Sequence, residues 1–128
     1  HPVGSAIALK AIDVILNEGL AENVRRLTPY FEAHMQRLLE NPNIGEARGK
    51  GLMGALEAVQ DKDSKTPFAA KLSVSERIAN TCTDHGLICR PLGQSIVLCP
   101  SFIFTESHID EMFEKLEASL KKVFSEVA

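Results

Sequence analysis

The sequence predicts an α+β fold in which helices pack on an antiparallel sheet of three or more strands. Two apolar runs, residues 87–90 and 95–99, flank Pro91-Leu92-Gly93-Gln94 as a hairpin would. Amphipathic stripes at helical spacing precede and follow them. The order helix, helix, strand, helix, strand, strand, helix is that of an α+β domain, and 128 residues suffice for one such domain with a real core.

Residues 3–18 open the chain with a helix. Val3, Ile7, Ala8, Ala11, Val14 and Ile15 recur at helical spacing, and Leu9, Ile12 and Leu16 fill the other side. A helix apolar nearly all round calls for burial, and Gly19 is its natural stop. The chain begins at His1-Pro2 with this apolar pattern already running, which reads as a piece of a longer polypeptide. Residues 21–40 form an amphipathic surface helix with Val24, Leu27, Phe31, Met35 and Leu38 on its stripe. Pro29 inside it implies a kink, or a fresh start capped by Thr28.

After Asn41-Pro42-Asn43, residues 44–59 read as extended chain broken at Gly49-Lys50-Gly51 by a bulge or tight bend. Leu52, Gly54, Leu56 and Ala58 share one face; Met53, Ala55, Glu57 and Val59 share the other, and both are expected to be mostly covered. Residues 60–72 are polar and without period, a surface loop. Ser73 and Glu76 have capping-box spacing and open a short helix with Ile78, Ala79 and Cys82 buried and Gly86 at its end. In the hairpin, Arg90 is expected opposite Ser95 across a four-residue connection, which leaves Cys89 and Cys99 too far apart to pair. Thr105 caps the last helix, whose stripe is Ile109, Met112, Phe113, Leu116, Leu120, Val123 and Val127.

Composition excludes several functions. The formal charge is −3 and no basic run exceeds Arg25-Arg26 or Lys121-Lys122, so a nucleic-acid partner is not expected. Apolar stretches fall short of the ~18 residues of a membrane span. Three cysteines, an odd count, argue against a secreted disulfide framework and fit a cytoplasmic protein with reduced thiols.

Cys82, His85 and Cys89 could be offered as metal ligands, but no paired-ligand knuckle accompanies them, and small buried thiols beside a solvent-touched imidazole is the plainer reading, so no metal site is assigned. Gly45, Gly49, Gly51 and Gly54 lack the order of a phosphate loop and read as bulge and close packing. No nucleophile elbow supports a hydrolase. Arg90 stands apart: its planar fork matches a carboxylate, it precedes a proline, and it sits where the chain turns at the sheet edge. A surface ion pair is the ordinary alternative for such a residue.

The string Gly86-Leu87-Ile88-Cys89-Arg90-Pro91-Leu92-Gly93-Gln94-Ser95-Ile96-Val97-Leu98-Cys99-Pro100 resembles the C-terminal signature of class III pyridoxal-phosphate aminotransferases of the omega-transaminase, amine:pyruvate type. His1-Pro2-Val3-Gly4-Ser5-Ala6, Arg48-Gly49-Lys50-Gly51-Leu52-Met53 and Phe104-Thr105-Glu106 resemble further family segments, in the same order. The resemblance implies a fold-type I enzyme's small C-terminal domain at residues 21–128, preceded by the interdomain helix at residues 1–20. It implies a parent that moves an amino group between an amine and pyruvate or a similar keto acid, working as a cytoplasmic homodimer. The residue matching Arg90 would bind the substrate carboxylate and swing aside for a carboxylate-free amine. The Schiff-base lysine, the acid at the pyridine nitrogen and the phosphate-binding threonine lie upstream in the family. No catalytic or cofactor-binding residue is therefore assigned here, pyridoxal 5′-phosphate belongs to the intact parent alone, and the piece by itself should be inert. Pro100-Ser101 replaces the family's frequent Pro-Pro. The competing reading is a stand-alone, non-catalytic α+β ligand-binding or regulatory module.

Overall fold

A computed structural model describes residues 1–127. Four helices, α1 (Pro2–Asn17), α2 (Leu20–Leu38), α3 (Val74–Asp84) and α4 (Glu106–Val127), accompany five strands: β1 (Ile44–Lys50), β2 (Met53–Asp61), β3 (Thr66–Pro67), β4 (Arg90–Leu92) and β5 (Ser95–Leu98). The sheet runs β1-β2-β5-β4, all antiparallel, with β3 added to β2. The α+β expectation holds.

Register sorts the sheet into two faces, because directly opposed residues share a side and neighbours alternate. Ala47, Leu56, Ile96 and Pro91 form one cross-strand row, and the first three are buried under the helices. Arg48, Ala55, Val97 and Arg90 form the next row, on the other face. On the helix side the core is filled by Leu27, Phe31 and Met35 of α2, Ile78 and Cys82 of α3, and Ile109, Phe113, Leu116 and Leu120 of α4. Each such large apolar side chain contributes about 1.5–3 kcal/mol on leaving water.

Gly54 lets α2 lie close on β2: a Cβ there would sit 3.0 Å from two ring carbons of Phe31. Leu52, Gly54, Leu56 and Ala58 are buried, as their shared face predicts. The opposite face is covered only at its far end: Val59 is buried, Ala55 and Glu57 are half-buried and Met53 is 62% exposed. That corrects the expectation of two mostly covered faces, for α2, α3 and α4 all contribute to the one core on the other side.

Both hairpins turn in two residues. Lys50 pairs with Met53 around Gly51-Leu52, and Leu92 with Ser95 around Gly93-Gln94. Gly51 (φ 62°) and Gly93 (φ 60°) take the first central position, the pattern of a type II′ turn, where only glycine enters without strain. The second hairpin corrects the expected register. Arg90 faces Val97 instead of Ser95, and Pro91 lies in the strand. It is tolerated because β4 is an edge, where a missing N–H need break no ladder bond.

Three further expectations change. Pro29 lies inside an unbroken α2, and Thr28 is no cap: its hydroxyl donates to the Val24 carbonyl at 2.7 Å. Ser73 precedes α3 but makes no side-chain cap, since it sits left-handed after a short 3₁₀ turn (Ala70–Leu72). The 60–72 loop is pinned by Phe68, buried and stacked on Phe124 with centroids 6.0 Å apart. Thr105 does cap α4, accepting the His108 N–H at 3.4 Å.

No residue of α1 is buried, although its sequence calls for cover. Val3, Ile7, Leu9 and Leu16 are 60–71% exposed, and the main neighbour of the helix is α2. No described helix is long and apolar enough to cross a membrane.

Candidate functional site

Arg90 begins the edge strand β4, and its register with Val97 aims it to the uncovered face of the sheet. Arg25, Arg26, Arg37, Arg48 and Arg77 each have a carboxylate oxygen within 4.0 Å. Arg90 has no such partner among the described residues and is exposed. An arginine held for a structural ion pair would be paired, as these five are. This one is a free cation on a rigid edge, stiffened by the proline behind it and the tight turn three residues on.

The surface around it is graded in character. In the same row Arg48, at the far edge on β1, is engaged with Glu46 (3.3 Å) and Glu57 (3.9 Å), so its charge is compensated. Ala55 and Val97 lie between, and a shallow depression of about 360 Å³ crosses them toward Met53 and Cys99. A deeper groove of about 620 Å³ adjoins it, walled by Leu20 and Val24 of α2, Leu52, Met53, and Phe102 and Ile103 after β5. Phe102 and Ile103 are 46% and 66% exposed. Arg90 lines neither hollow. These residues offer an anion anchor at one edge and an apolar surface beside it.

The three residues weighed as metal ligands are brought near one another but face different tasks. Cys82 is fully buried in the last turn of α3, Cys89 is half-buried ahead of β4, and the His85 ring meets the Ser119 hydroxyl at 2.8 Å. Among the described residues no group of three His, Cys, Asp or Glu is arranged to hold a metal ion.

A second polar cluster lies between α2 and α4. The Tyr30 hydroxyl donates to Asp110 Oδ1 at 2.6 Å, and His34 Nε2 lies 3.0 Å from the same oxygen. The hydrogen bond to Asp110 raises the Tyr30 pKa above 10.0, with smaller contributions from burial and the carboxylate charge. His34 stacks on Phe113 with centroids 4.7 Å apart, so this cluster clamps two helices. No local signal marks it, because Asp110 lies 80 residues from Tyr30 and on another helix.

The residues present do not fit pyridoxal phosphate by themselves. Lys62 donates to the Leu39 carbonyl, Lys115 is tied to Glu111 at 2.5 Å, and Lys50 projects from the open edge. None is a lysine set in a closed pocket beside an acid.

Comparison with known proteins places this geometry. The family described as Aminotransferase class-III matches residues 1–120. An omega-aminotransferase from Paracoccus denitrificans is 76% identical, superimposes with a TM-score of 0.97, and is matched over 100% of this chain and 28% of its own. A PLP-bound aminotransferase mutant from Vibrio fluvialis is 73% identical with a TM-score of 0.97 over the same shares. Putrescine--pyruvate aminotransferase of Pseudomonas aeruginosa is 36% identical over 88% of this chain and 25% of its length. The chain thus spans about a quarter of the relatives that it matches.

Proposed function

Because the chain belongs to the class III aminotransferase family, we propose that it is the C-terminal part of a pyridoxal-phosphate enzyme that moves an amino group between an amine and pyruvate or a similar keto acid. The observation that carries the role of Arg90 is its freedom: alone among the arginines it has no carboxylate partner among the described residues, and it stands on the open face of the sheet. A bidentate guanidinium there holds the carboxylate of a keto acid and orients it. One pocket must also take an amine that lacks a carboxylate, and an exposed, unpaired side chain can turn away without leaving a buried charge behind.

On this reading residues 1–20 form an interdomain helix and residues 21–128 the small domain. What supports the division is α1, which is apolar and unburied, and the left-handed break at Gly19 (φ 63°). The remainder of the parent supplies the cofactor site and covers the apolar groove; the parent works as a cytoplasmic homodimer, and the 128-residue piece alone is inert. No catalytic step is assigned to residues of this chain.

The test is made in the full-length enzyme. Arg90→Ala raises the KM for pyruvate by roughly 10- to 100-fold, the scale of a lost charge-assisted hydrogen bond, and leaves that for an aromatic amine nearly unchanged. Equal effects on donor and acceptor would remove the assignment. The same change in the isolated chain shifts stability by less than about 0.5 kcal/mol, since nothing in the fold leans on the side chain.

A further inference from the structure

Arg90 stands on a strand with little of its own to hold it. β4 pairs with β5 alone, and of its three residues Arg90 and Leu92 are exposed and Pro91 is half-buried, so side-chain burial barely anchors it. Helix α3 adds the missing support at both ends of the segment. At the end of the helix the Leu87 N–H donates to the Cys82 carbonyl at 2.8 Å and the Gly86 N–H to the Thr83 carbonyl at 2.9 Å, the paired bonds that turn a chain back around a left-handed glycine. At its start the Ser75 hydroxyl donates to the Gly93 carbonyl at 2.6 Å, with Glu76 Oε2 3.0 Å from the same hydroxyl. Ser75 is 3% exposed, and a buried hydroxyl is costly to leave without a partner, so this clasp is maintained. The turn is also gripped by β2, whose Ala58 N–H donates to the Gln94 carbonyl at 3.1 Å.

We propose that Ser75 is a positioning residue for Arg90: by holding the Gly93 carbonyl it fixes the turn that sets where β4, and with it the guanidinium, stands over the sheet. The inference rests on the reading of Arg90 as the carboxylate anchor and adds the group that places it. Only Leu92 and Pro91 separate the clasped turn from Arg90, and the proline ring fixes its own φ, so a displaced turn carries the Arg90 backbone with it. A bidentate grip needs both guanidinium N–H arms aligned with both carboxylate oxygens, and a misplacement of about 1 Å spoils it. An amine without a carboxylate does not use that fork and is indifferent to the displacement.

The experiment uses the full-length enzyme and compares pyruvate with an aromatic amine. Ser75→Ala should raise the KM for pyruvate by roughly 3- to 10-fold, the scale of one lost hydrogen bond, and leave that for the amine nearly unchanged. Ser75→Thr, which keeps the hydroxyl, should restore the pyruvate KM. Ser75→Cys, which keeps the shape but weakens the donor, carries the same comparison if the alanine variant does not fold. Because Ser75 acts through Arg90, adding Ser75→Ala to Arg90→Ala should cost no further pyruvate affinity. Leu38→Ala, a buried change in α2, is the control for lost stability and should not separate the two substrates. The positioning role is overturned, with the anchor reading intact, if Arg90→Ala separates donor from acceptor while Ser75→Ala moves neither KM or both alike. It is equally overturned if the two changes simply multiply. Should Arg90→Ala itself fail to separate the substrates, the anchor reading has failed and the positioning role falls with it.

Discussion

Replacing Gly54 with alanine probes how tightly α2 is seated on the sheet. The added Cβ would lie 3.0 Å from Phe31 Cε1 and Cζ and 3.1 Å from Met35 Cε. Ordinary carbon contacts begin near 3.5 Å, so each neighbour must yield by roughly half an ångström. The Met35 methyl is the end of a flexible side chain and can swing away. Phe31 cannot: it is fully buried, and the Phe113 ring stands behind it with centroids 5.5 Å apart at 60°. Overpacking of this kind costs about 1–3 kcal/mol. Loss of glycine's freedom in the unfolded chain returns about 0.4–1 kcal/mol. The net is a destabilisation of about 1–2 kcal/mol, or some 4–8 °C in Tm for a chain of this size. Urea denaturation of Gly54→Ala, Phe31→Leu and the double variant measures it. Leucine removes the two ring carbons, so the double variant should be more stable than the sum of the single effects by at least about 0.5 kcal/mol. A neutral Gly54→Ala, or a cycle that is additive, would refute the claim that the ring sets the distance between helix and sheet.

Two shorter tests follow. Tyr30 is the single tyrosine and tryptophan is absent, so absorbance near 295 nm titrates one group. Its midpoint should lie above 10.0 and fall toward the ordinary value in Asp110→Asn. Because the folded pKa is the higher one, the contribution to stability is fully present below pH 10 and is lost as pH rises through the folded midpoint; Tyr30→Phe should flatten that alkaline decline. Ile12→Gln with Leu16→Gln, both on the exposed surface of α1, should lower dye binding and self-association of the isolated chain while leaving its Tm within about 1 °C. A large loss of Tm instead would mean that α1 is packed on the domain.

How much of this was legible depends on whether a signal was local. The stripes of α2 and α4 were, because burial at every third or fourth residue records one contact face; Leu27, Phe31, Met35 and Leu38 are buried as read. Hairpin register was not. Pro91 and Gly93 together suggest a turn, yet only Gly93 turns, and Pro91 is admitted to the strand by its edge position, which is a property of the assembled sheet. The change of register does not alter which side of the sheet Arg90 shares with its partner. The pairing moved from Ser95 to Val97, a shift of two, and strand alternation has period two, so the face is unchanged. Ser73 makes no cap because it sits left-handed after the 3₁₀ turn, and the start of α3 is tied to the hairpin turn instead by Ser75, whose hydroxyl donates to the Gly93 carbonyl at 2.6 Å. Phe68 hid in a polar loop without period, and nothing local marks a lone anchor.

The uncovered surfaces bear on one another. Leu20 and Val24 wall the 620 Å³ groove opposite Phe102 and Ile103, and α1 runs into that wall through Gly19. A helix apolar nearly all round, an apolar groove at its foot and the sheet face beyond are three hydrophobic exposures on a chain whose inner core is well filled. A fold that meets its own need for burial on one side while leaving three such surfaces on the others is built to be covered by something else. The relatives it matches are about four times as long, and on the proposed reading the remainder of such a parent would be that cover. On the proposed reading Arg90 takes its role from position: left unpaired among the described residues, on the open face of the sheet, it would be the cation that holds a carboxylate there.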